Sequence, residues 1–103
     1  MRVGVPREIK NNEFRVGLVP ASVRELVNQG HEVLVETKAG AGIGMSDGDY
    51  EVVGAQILAD AQSVFDRAEM IVKVKEPQAV ERAMLRADHT LFTYLHRVPG
   101  ASR

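Results

Sequence analysis

Apolar and polar positions along this chain change repeatedly between the spacing of a helix and the spacing of a strand. Helical spacing is clearest at Pro20–Gln29, where Val23 and Leu26 share one face, and Gly30 can take the left-handed conformation that often follows a last turn. Short apolar runs typical of strands separate such segments. We expect strands at Met1–Pro6, His31–Glu36, Ala55–Leu58, Met70–Lys75 and His89–His96. This alternation predicts an α/β fold with a flavodoxin-like, mostly parallel sheet flanked by helices.

Capping signals predict where the shorter helices begin. Ser46 followed by Asp49 has the spacing of a capping box, and Asp60 is a suitable N-cap for the segment after it. A further helix can open after Pro77, because proline is tolerated before or in a first turn. We expect these helices at Asp49–Val53, Ala61–Arg67 and Gln78–Leu85.

A glycine-rich turn, Thr37–Gly44, follows the second predicted strand and raises the question of a dinucleotide site. The fingerprint G-x-G-x-x-G fails, because Met45 stands where a third glycine would follow Gly40 and Gly42. The pattern therefore favours an ordinary loop, whose glycines permit positive φ, over a phosphate cradle.

Composition excludes several classes of function. The 103 residues suffice for one domain, and a net charge of −1 without a basic stripe indicates neither a nucleic-acid nor a membrane surface. No cysteine is present, so disulfides, thiolate chemistry and cysteine metal sites are absent from this sequence. No histidine or carboxylate pair has convincing metal spacing, and neither a secretory signal nor an apolar run of roughly 20 residues occurs. We expect a soluble, cytoplasmic protein.

Three cationic or titratable side chains are predicted to meet at one edge of the sheet. Pro77 cannot donate to a strand ladder, so the strand in E-M-I-V-K-V-K-E-P must end near Glu76 and leave Lys75 at its carboxyl end. Arg15 returns from the loop after the first strand, and His96 ends the last strand. Ligands bind outside the carboxyl ends of parallel strands, so this set suits a small carboxylate with a neighbouring carbonyl.

Each of these residues has a simpler interpretation when it is considered alone. A lysine at a strand end or an arginine in a polar loop is most often simply solvated, and a single histidine is more often a surface or packing residue. The convergence of Arg15, Lys75 and His96 on one edge favours a site. The residues themselves indicate no more than a pocket for a small anion.

Four segments resemble a known family: M-R-V-G-V-P-R-E-I-K-N-N-E-F-R-V, G-H-E-V-L-V-E-T-K-A-G-A-G, I-V-K-V-K-E-P and L-F-T-Y-L-H. They are similar to the amino-terminal part of bacterial NAD-dependent alanine dehydrogenases, from Met1 to His96. That family is related to the α subunit of nicotinamide nucleotide transhydrogenase and to saccharopine dehydrogenase. Transhydrogenase generally lacks the lysine and the closing histidine, so Lys75 and His96 favour alanine dehydrogenase.

The resemblance implies a reaction and residue roles. L-Alanine, NAD and water would give pyruvate, ammonia and NADH. Arg15 and Lys75 would hold the carboxylate and the keto oxygen of the substrate, and His96 would serve in acid–base chemistry. NAD is expected as the cofactor of the full-length enzyme, bound by a separate Rossmann domain, and a homo-oligomer is expected. No cofactor is expected for this chain alone.

The resemblance also implies that much of the enzyme is missing from these residues. We expect residues 1–96 to be a portion of the substrate domain and residues 97–103 to be a divergent, frayed tail. The chain would then be a fragment, a truncated product or an isolated domain, inactive alone. The alternatives are a non-catalytic module for small-anion binding or assembly, or a relative of the transhydrogenase α subunit.

Overall fold

A computed structural model describes residues 1–94, which form an alternating series of strands and helices. In chain order the elements are β1 (Arg2–Val5), α1 (Pro20–Asn28), β2 (Glu32–Glu36), α2 (Asp47–Glu51), β3 (Gln56–Leu58), α3 (Ala61–Arg67), β4 (Met70–Lys73), α4 (Ala79–Arg82) and β5 (Thr90–Thr93). A single 3-10 turn lies at Ala41–Ile43 in the glycine-rich segment. Among these described residues, no helix has both the length and the apolar character needed to cross a membrane.

The five strands form one parallel sheet in the order β3-β2-β1-β4-β5, which confirms the predicted α/β fold. Strand β1 is in the middle, so the apolar strand β4 lies beside the central position. The chain moves outward from β1 to β3 and then crosses back to β4. Flavodoxin has the order 2-1-3-4-5, so the two sheets differ in where the chain reverses. Parallel crossover connections are right-handed. Helices in connections that run in one direction across the sheet therefore lie on one face, and helices in connections that run back lie on the other face.

The two faces of the sheet are covered by different helices. Val3 and Val5 belong to the core under α1 and α2, whereas Gly4 points to α3. A Cβ on Gly4 would lie 2.7 Å from the Cβ of Ala68, so the absence of a side chain lets α3 pack closely on β1. The core on the α3 side consists of Leu34, Leu58, Val64, Phe65, Ala68 and Ile71.

The predicted capping signals are present. The Ser46 side chain accepts a hydrogen bond from the Asp49 backbone N–H at 3.2 Å, and the Asp49 carboxylate accepts from the Ser46 N–H. Asp60 accepts from the Ser63 N–H at 2.8 Å, and Gly30 has φ 93°. Helix α3 has the predicted bounds. Helix α2 begins earlier than predicted, directly after Ser46, and α4 is a single turn, which is shorter than predicted.

Strand β4 is shorter than predicted, and the last strand is an edge. The expected strand end at Lys75 is wrong, because a carboxylate takes the N–H groups after Lys73, as described below. On β5, Leu91 and Phe92 are 39% and 49% exposed, while Thr93 is buried. His96 and the predicted tail lie outside the described residues, so those expectations stay predictions.

Candidate anion-binding site

The reversal of strand order opens a crevice beside the carboxyl end of β1. The loop after β1 leads to α1 on one face of the sheet, while the segment after β4 leads to α4 on the other face. Because neighbouring chain segments separate here, this is the position at which open α/β sheets bind ligands. Both Arg15 and Lys75 belong to these two connections.

Glu8 joins the two sides of the crevice. Its Oε2 accepts a hydrogen bond from the Val74 N–H at 2.9 Å, and its Oε1 accepts from the Lys75 N–H at 3.3 Å. The same Oε1 lies 3.0 Å from Nζ of Lys73. One carboxylate from the β1 loop therefore ends strand β4 and holds the backbone of Lys75 in place.

Lys73 is buried between two carboxylates. Its Nζ lies 3.0 Å from Glu8 Oε1 and 2.9 Å from Glu81 Oε2, and all three side chains are at most 2% exposed. The other oxygen of Glu81 accepts from the Gln78 N–H and completes the capping box of α4. Buried charges are tolerated only when paired and hydrogen-bonded, so this cluster couples β4, α4 and the β1 loop. We call Glu8, Lys73 and Glu81 the buried ionic cluster.

The sequence contains one sign of this cluster, although the prediction overlooked it. Lys73 occupies an inward position of β4, on the same face as Ile71 and between two valines. A charged residue at a core position of a strand requires a buried partner of opposite charge. The sequence does not indicate that Glu8 and Glu81 are those partners.

Arg15 forms a two-point contact with the carboxylate of Glu13. Its Nε donates to Glu13 Oε2 and its NH2 group to Glu13 Oε1, both at 3.0 Å, and the Arg15 backbone N–H also donates to Oε2 at 2.8 Å. The Arg15 side chain is 59% exposed, whereas that of Glu13 is 2% exposed. The hydrogen bond from Arg15 lowers the pKa of Glu13 below its ordinary value.

Lys75 approaches the same carboxylate from the other side of the crevice. Its Nζ lies 3.9 Å from Glu13 Oε1, and its side chain is 29% exposed. Arg15 and Lys75 are therefore brought together as the sequence predicted, with Glu13 between them. The sequence did not single out Glu13, because an acidic residue in a polar loop carries no distinguishing pattern.

The histidines have separate surroundings. The third predicted site residue, His96, lies outside the described residues. His31 Nδ1 is 3.4 Å from the terminal amine of Met1. The ring nitrogens of His89 contact the Arg86 N–H and the carbonyl oxygen of Phe65, at 2.8 and 2.7 Å. The sequence indicates no chemistry for His31 or His89, and neither residue contacts Arg15 or Lys75 in these hydrogen bonds.

A pocket of about 450 Å³ lies next to Glu13, on the β2 side of the β1 loop. Its charged lining comprises Arg7, Glu8, Glu13, Arg15 and Lys38, and the glycine-rich segment forms another part of the wall. Arg15 therefore faces both this pocket and the crevice that contains Lys75. Three cations against two carboxylates make the lining slightly basic, which suits a small anion.

The glycine-rich segment packs against the β1 loop. A Cβ on Gly42 would lie 2.3 Å from the carbonyl oxygen of Phe14, so only glycine permits this contact. Positive φ occurs at Gly44, with φ 79°, but Gly40 has φ −92°. The expectation that the glycines serve to allow positive φ therefore holds for Gly44 but is wrong for Gly40 and Gly42. Gly40 instead allows close packing against the buried Tyr50, and Gly42 allows close packing against Phe14.

Glu36, the last residue of β2, has an unfavourable electrostatic environment. Burial raises its pKa, and the nearby Asp60 and Glu81 raise it further, against a hydrogen bond from the Arg7 N–H at 2.8 Å. A carboxyl whose pKa is raised by folding contributes stability at low pH, and that contribution is lost as the pH rises through its folded pKa. Ionised Glu36 therefore opposes folding at neutral pH.

Glu36→Gln is expected to raise the free energy of unfolding at pH 7, by under about 1 kcal/mol, and to have little effect near pH 4. The side-chain oxygen that accepts from Arg7 is retained. Urea unfolding at the two pH values measures the difference, and Glu32→Gln at the exposed other end of β2 is the control. A stabilisation that is equal at both pH values would contradict the assignment.

No group of three or more His, Asp or Glu side chains in residues 1–94 is arranged to hold a metal ion. A guanidinium and an ammonium group converge on one carboxylate, which is the arrangement that binds a small organic acid.

Comparison with known proteins relates the chain to one family over nearly its whole length. Residues 4–103 match the model for "Alanine dehydrogenase/PNT, N-terminal domain". The chain is 56% identical to an alanine dehydrogenase of Halomonas elongata over 96 residues, which cover 93% of this chain and 26% of that protein. It is 54% identical to an alanine dehydrogenase of Bacillus subtilis, covering 93% and 25%. The chain thus spans about a quarter of the length of these relatives.

Solved structures give the same relationship. An L-alanine dehydrogenase superposes with a TM-score of 0.89 at 55% identity, covering 93% of this chain and 26% of the other. A transhydrogenase from Sinorhizobium meliloti superposes with a TM-score of 0.84 at 32% identity, covering 90% and 27%. The chain therefore belongs to the alanine dehydrogenase/PNT N-terminal domain family.

Proposed function

We propose that this chain provides the substrate-binding part of an NAD-dependent L-alanine dehydrogenase, which interconverts L-alanine with pyruvate and ammonia. The observation that carries the proposal is the convergence of Arg15 and Lys75 on one carboxylate at the reversal point of the sheet. The 56% identity to an alanine dehydrogenase supports it. The space next to Arg15 and Lys75 already holds the carboxylate of Glu13, so it has the charge and the dimensions for a ligand carboxylate.

Each residue has a role that follows from its chemistry. Arg15 presents a planar fork of N–H donors, which matches the two oxygens of a carboxylate. Lys75 supplies a compact positive charge that can polarise the keto oxygen of pyruvate. His96 would move a proton during amine release, because imidazole changes charge near neutral pH.

In this proposal NAD is bound by a second domain. The turn after β2 lacks the third glycine of the dinucleotide fingerprint, and the carbonyl oxygen of Phe14 fills the space beside Gly42. The described residues therefore do not fit the pyrophosphate of NAD at this turn. In the whole enzyme NAD would supply the hydride acceptor from that second domain, and this chain would bind and orient the substrate.

A chemical-shift titration of the 103-residue chain with pyruvate and with L-alanine tests the proposal. We expect weak binding, because solvated ion pairs each contribute only about 0–1 kcal/mol. The shifted amides should cluster in the loops after β1 and β4, around Arg15 and Lys75. Shifts confined to the opposite side of the pocket, around Lys38, would overturn the proposal.

A non-catalytic anion-binding module is distinguished by its choice of ligand. Acetate has the carboxylate of pyruvate but lacks the keto oxygen that Lys75 would contact. A substrate site should therefore bind pyruvate more tightly than acetate, whereas equal affinity would favour the module. The weaker 32% identity to transhydrogenase makes that relative the less favoured of the two enzymes.

A further inference from the structure

We propose that Glu13 is an internal competitor for the anion site, whose carboxylate occupies the place between Arg15 and Lys75 that a ligand carboxylate must take. This inference rests on the proposed function, and it adds a residue to which the family resemblance assigned no role. Ligand binding would then be an exchange of one carboxylate for another.

The contacts of Glu13 are those expected of a bound ligand. Both oxygens receive donors from the Arg15 guanidinium at 3.0 Å, and Oε1 is also 3.9 Å from Lys75 Nζ. Oε1 is therefore hydrogen-bonded to one cation and lies within 4 Å of the other. The Glu13 side chain is almost fully covered although Arg15 is mostly exposed, so the carboxylate sits on the inner side of the guanidinium.

Geometry makes the two carboxylates mutually exclusive at this point. A ligand could contact the outer edge of Arg15 alone while Glu13 stays in place. It cannot lie between Arg15 and Lys75 at the same time, because Glu13 Oε1 already occupies that space and two carboxylates in contact repel one another. Engaging both cations therefore requires that Glu13 leave.

The surrounding loop allows this movement. Glu13 closes a short exposed turn, in which its N–H donates to the carbonyl of Lys10 at 3.1 Å and Asn12 adopts φ 65°. The neighbouring Phe14 side chain is 66% exposed. Rotation of the Glu13 side chain breaks its polar contacts with Arg15 and Lys75, and none of the hydrogen bonds or ion pairs given for its carboxylate is to a strand of the sheet.

The exchange has a consequence for affinity. A ligand carboxylate gains contacts with Arg15 only by ending equivalent contacts of Glu13, so the net gain is small. Removing the internal carboxylate should therefore strengthen binding. We expect Glu13→Gln to lower the dissociation constant of pyruvate roughly fivefold, the size of effect typical of a single solvated ion pair.

Glu76→Gln is the matched control. Glu76 pairs with Lys10 across the same crevice, so the substitution removes an equal charge from the neighbouring loop without touching Arg15. Affinity for pyruvate should change less than about twofold in this variant, because salt screens the effect of an exposed charge that does not contact Arg15. An equal gain in both variants would mean that net charge alone is responsible, and would overturn the proposal.

The wild-type chain provides an independent readout that needs no substitution. The 13C resonance of the Glu13 carboxylate and the 15Nε resonance of Arg15 should both shift as pyruvate is added, because their contact is replaced. Pyruvate binding at Arg15 with an unchanged Glu13 resonance, or no affinity gain in Glu13→Gln, would overturn this inference alone. No shift at Arg15 in either protein would overturn the proposed function and this inference with it.

Discussion

Replacing Lys73 with methionine should lower the free energy of unfolding by about 3–5 kcal/mol, the cost of leaving buried charges without their partner. Methionine has nearly the volume of lysine, so the core stays filled and the effect is electrostatic. Glu8 and Glu81 would keep their buried positions but lose the ammonium group that lies within 3.0 Å of both carboxylates. Urea denaturation at pH 7 followed by circular dichroism measures the change.

Lys75→Met is the control for this prediction, since it lies two residues further along the same segment. Its side chain is partly exposed and its ion pair is long, so about 0–1 kcal/mol is expected. Adding Glu8→Gln and Glu81→Gln to Lys73→Met should recover part of the loss, because the uncompensated charges are removed. Equal effects of Lys73→Met and Lys75→Met would disprove the importance of the buried ionic cluster.

Pyruvate binding should be abolished by Arg15→Ala and by Lys75→Ala. Removal of Arg15 eliminates the planar fork proposed to hold both carboxylate oxygens, and removal of Lys75 eliminates the charge proposed to face the keto oxygen. Because wild-type binding is itself weak, a loss of about fivefold, the size expected for one solvated ion pair, places it beyond detection. The chemical-shift titration described above is the measurement.

Two further variants give this binding experiment its controls. Arg24→Ala removes one positive charge from the exposed surface of α1 and should leave pyruvate binding unchanged. His96→Ala should weaken binding less than Arg15→Ala, because a proton carrier stabilises the transition state more than the bound ground state. Undiminished binding in Arg15→Ala would show that the carboxylate is held elsewhere.

Local signals in the sequence predicted the elements well. The capping box of Ser46, the N-cap at Asp60 and the left-handed Gly30 each depend on residues that are close in sequence. Such contacts are encoded by the segment itself, so their prediction needs no knowledge of the fold. The alternation of these segments was sufficient for the α/β class and the parallel sheet.

Local sequence patterns could not predict the order of the strands in the sheet. All five strands are short and apolar, so the patterns of β2, β3 and β4 fit several neighbours equally well. The position of β4 beside β1 depends on where the chain reverses, and on the fit of α3 against Gly4. That fit is a contact between segments that are distant in the sequence, so no local pattern predicts it.

The two lysines of K-V-K-E-P show the same difference between what a local pattern predicts and what contacts between distant segments decide. Strand length and Pro77 are enough to predict that the motif ends at the ligand-binding edge, but they extended the strand to Lys75, whereas β4 ends at Lys73. Lys73 is buried and Lys75 is partly exposed because each contacts a residue more than sixty positions away. Lys73 pairs with Glu8, and Lys75 lies near Glu13. Alternation along a strand tells which side chains share a face, but a partner's charge and position are set by packing between distant elements.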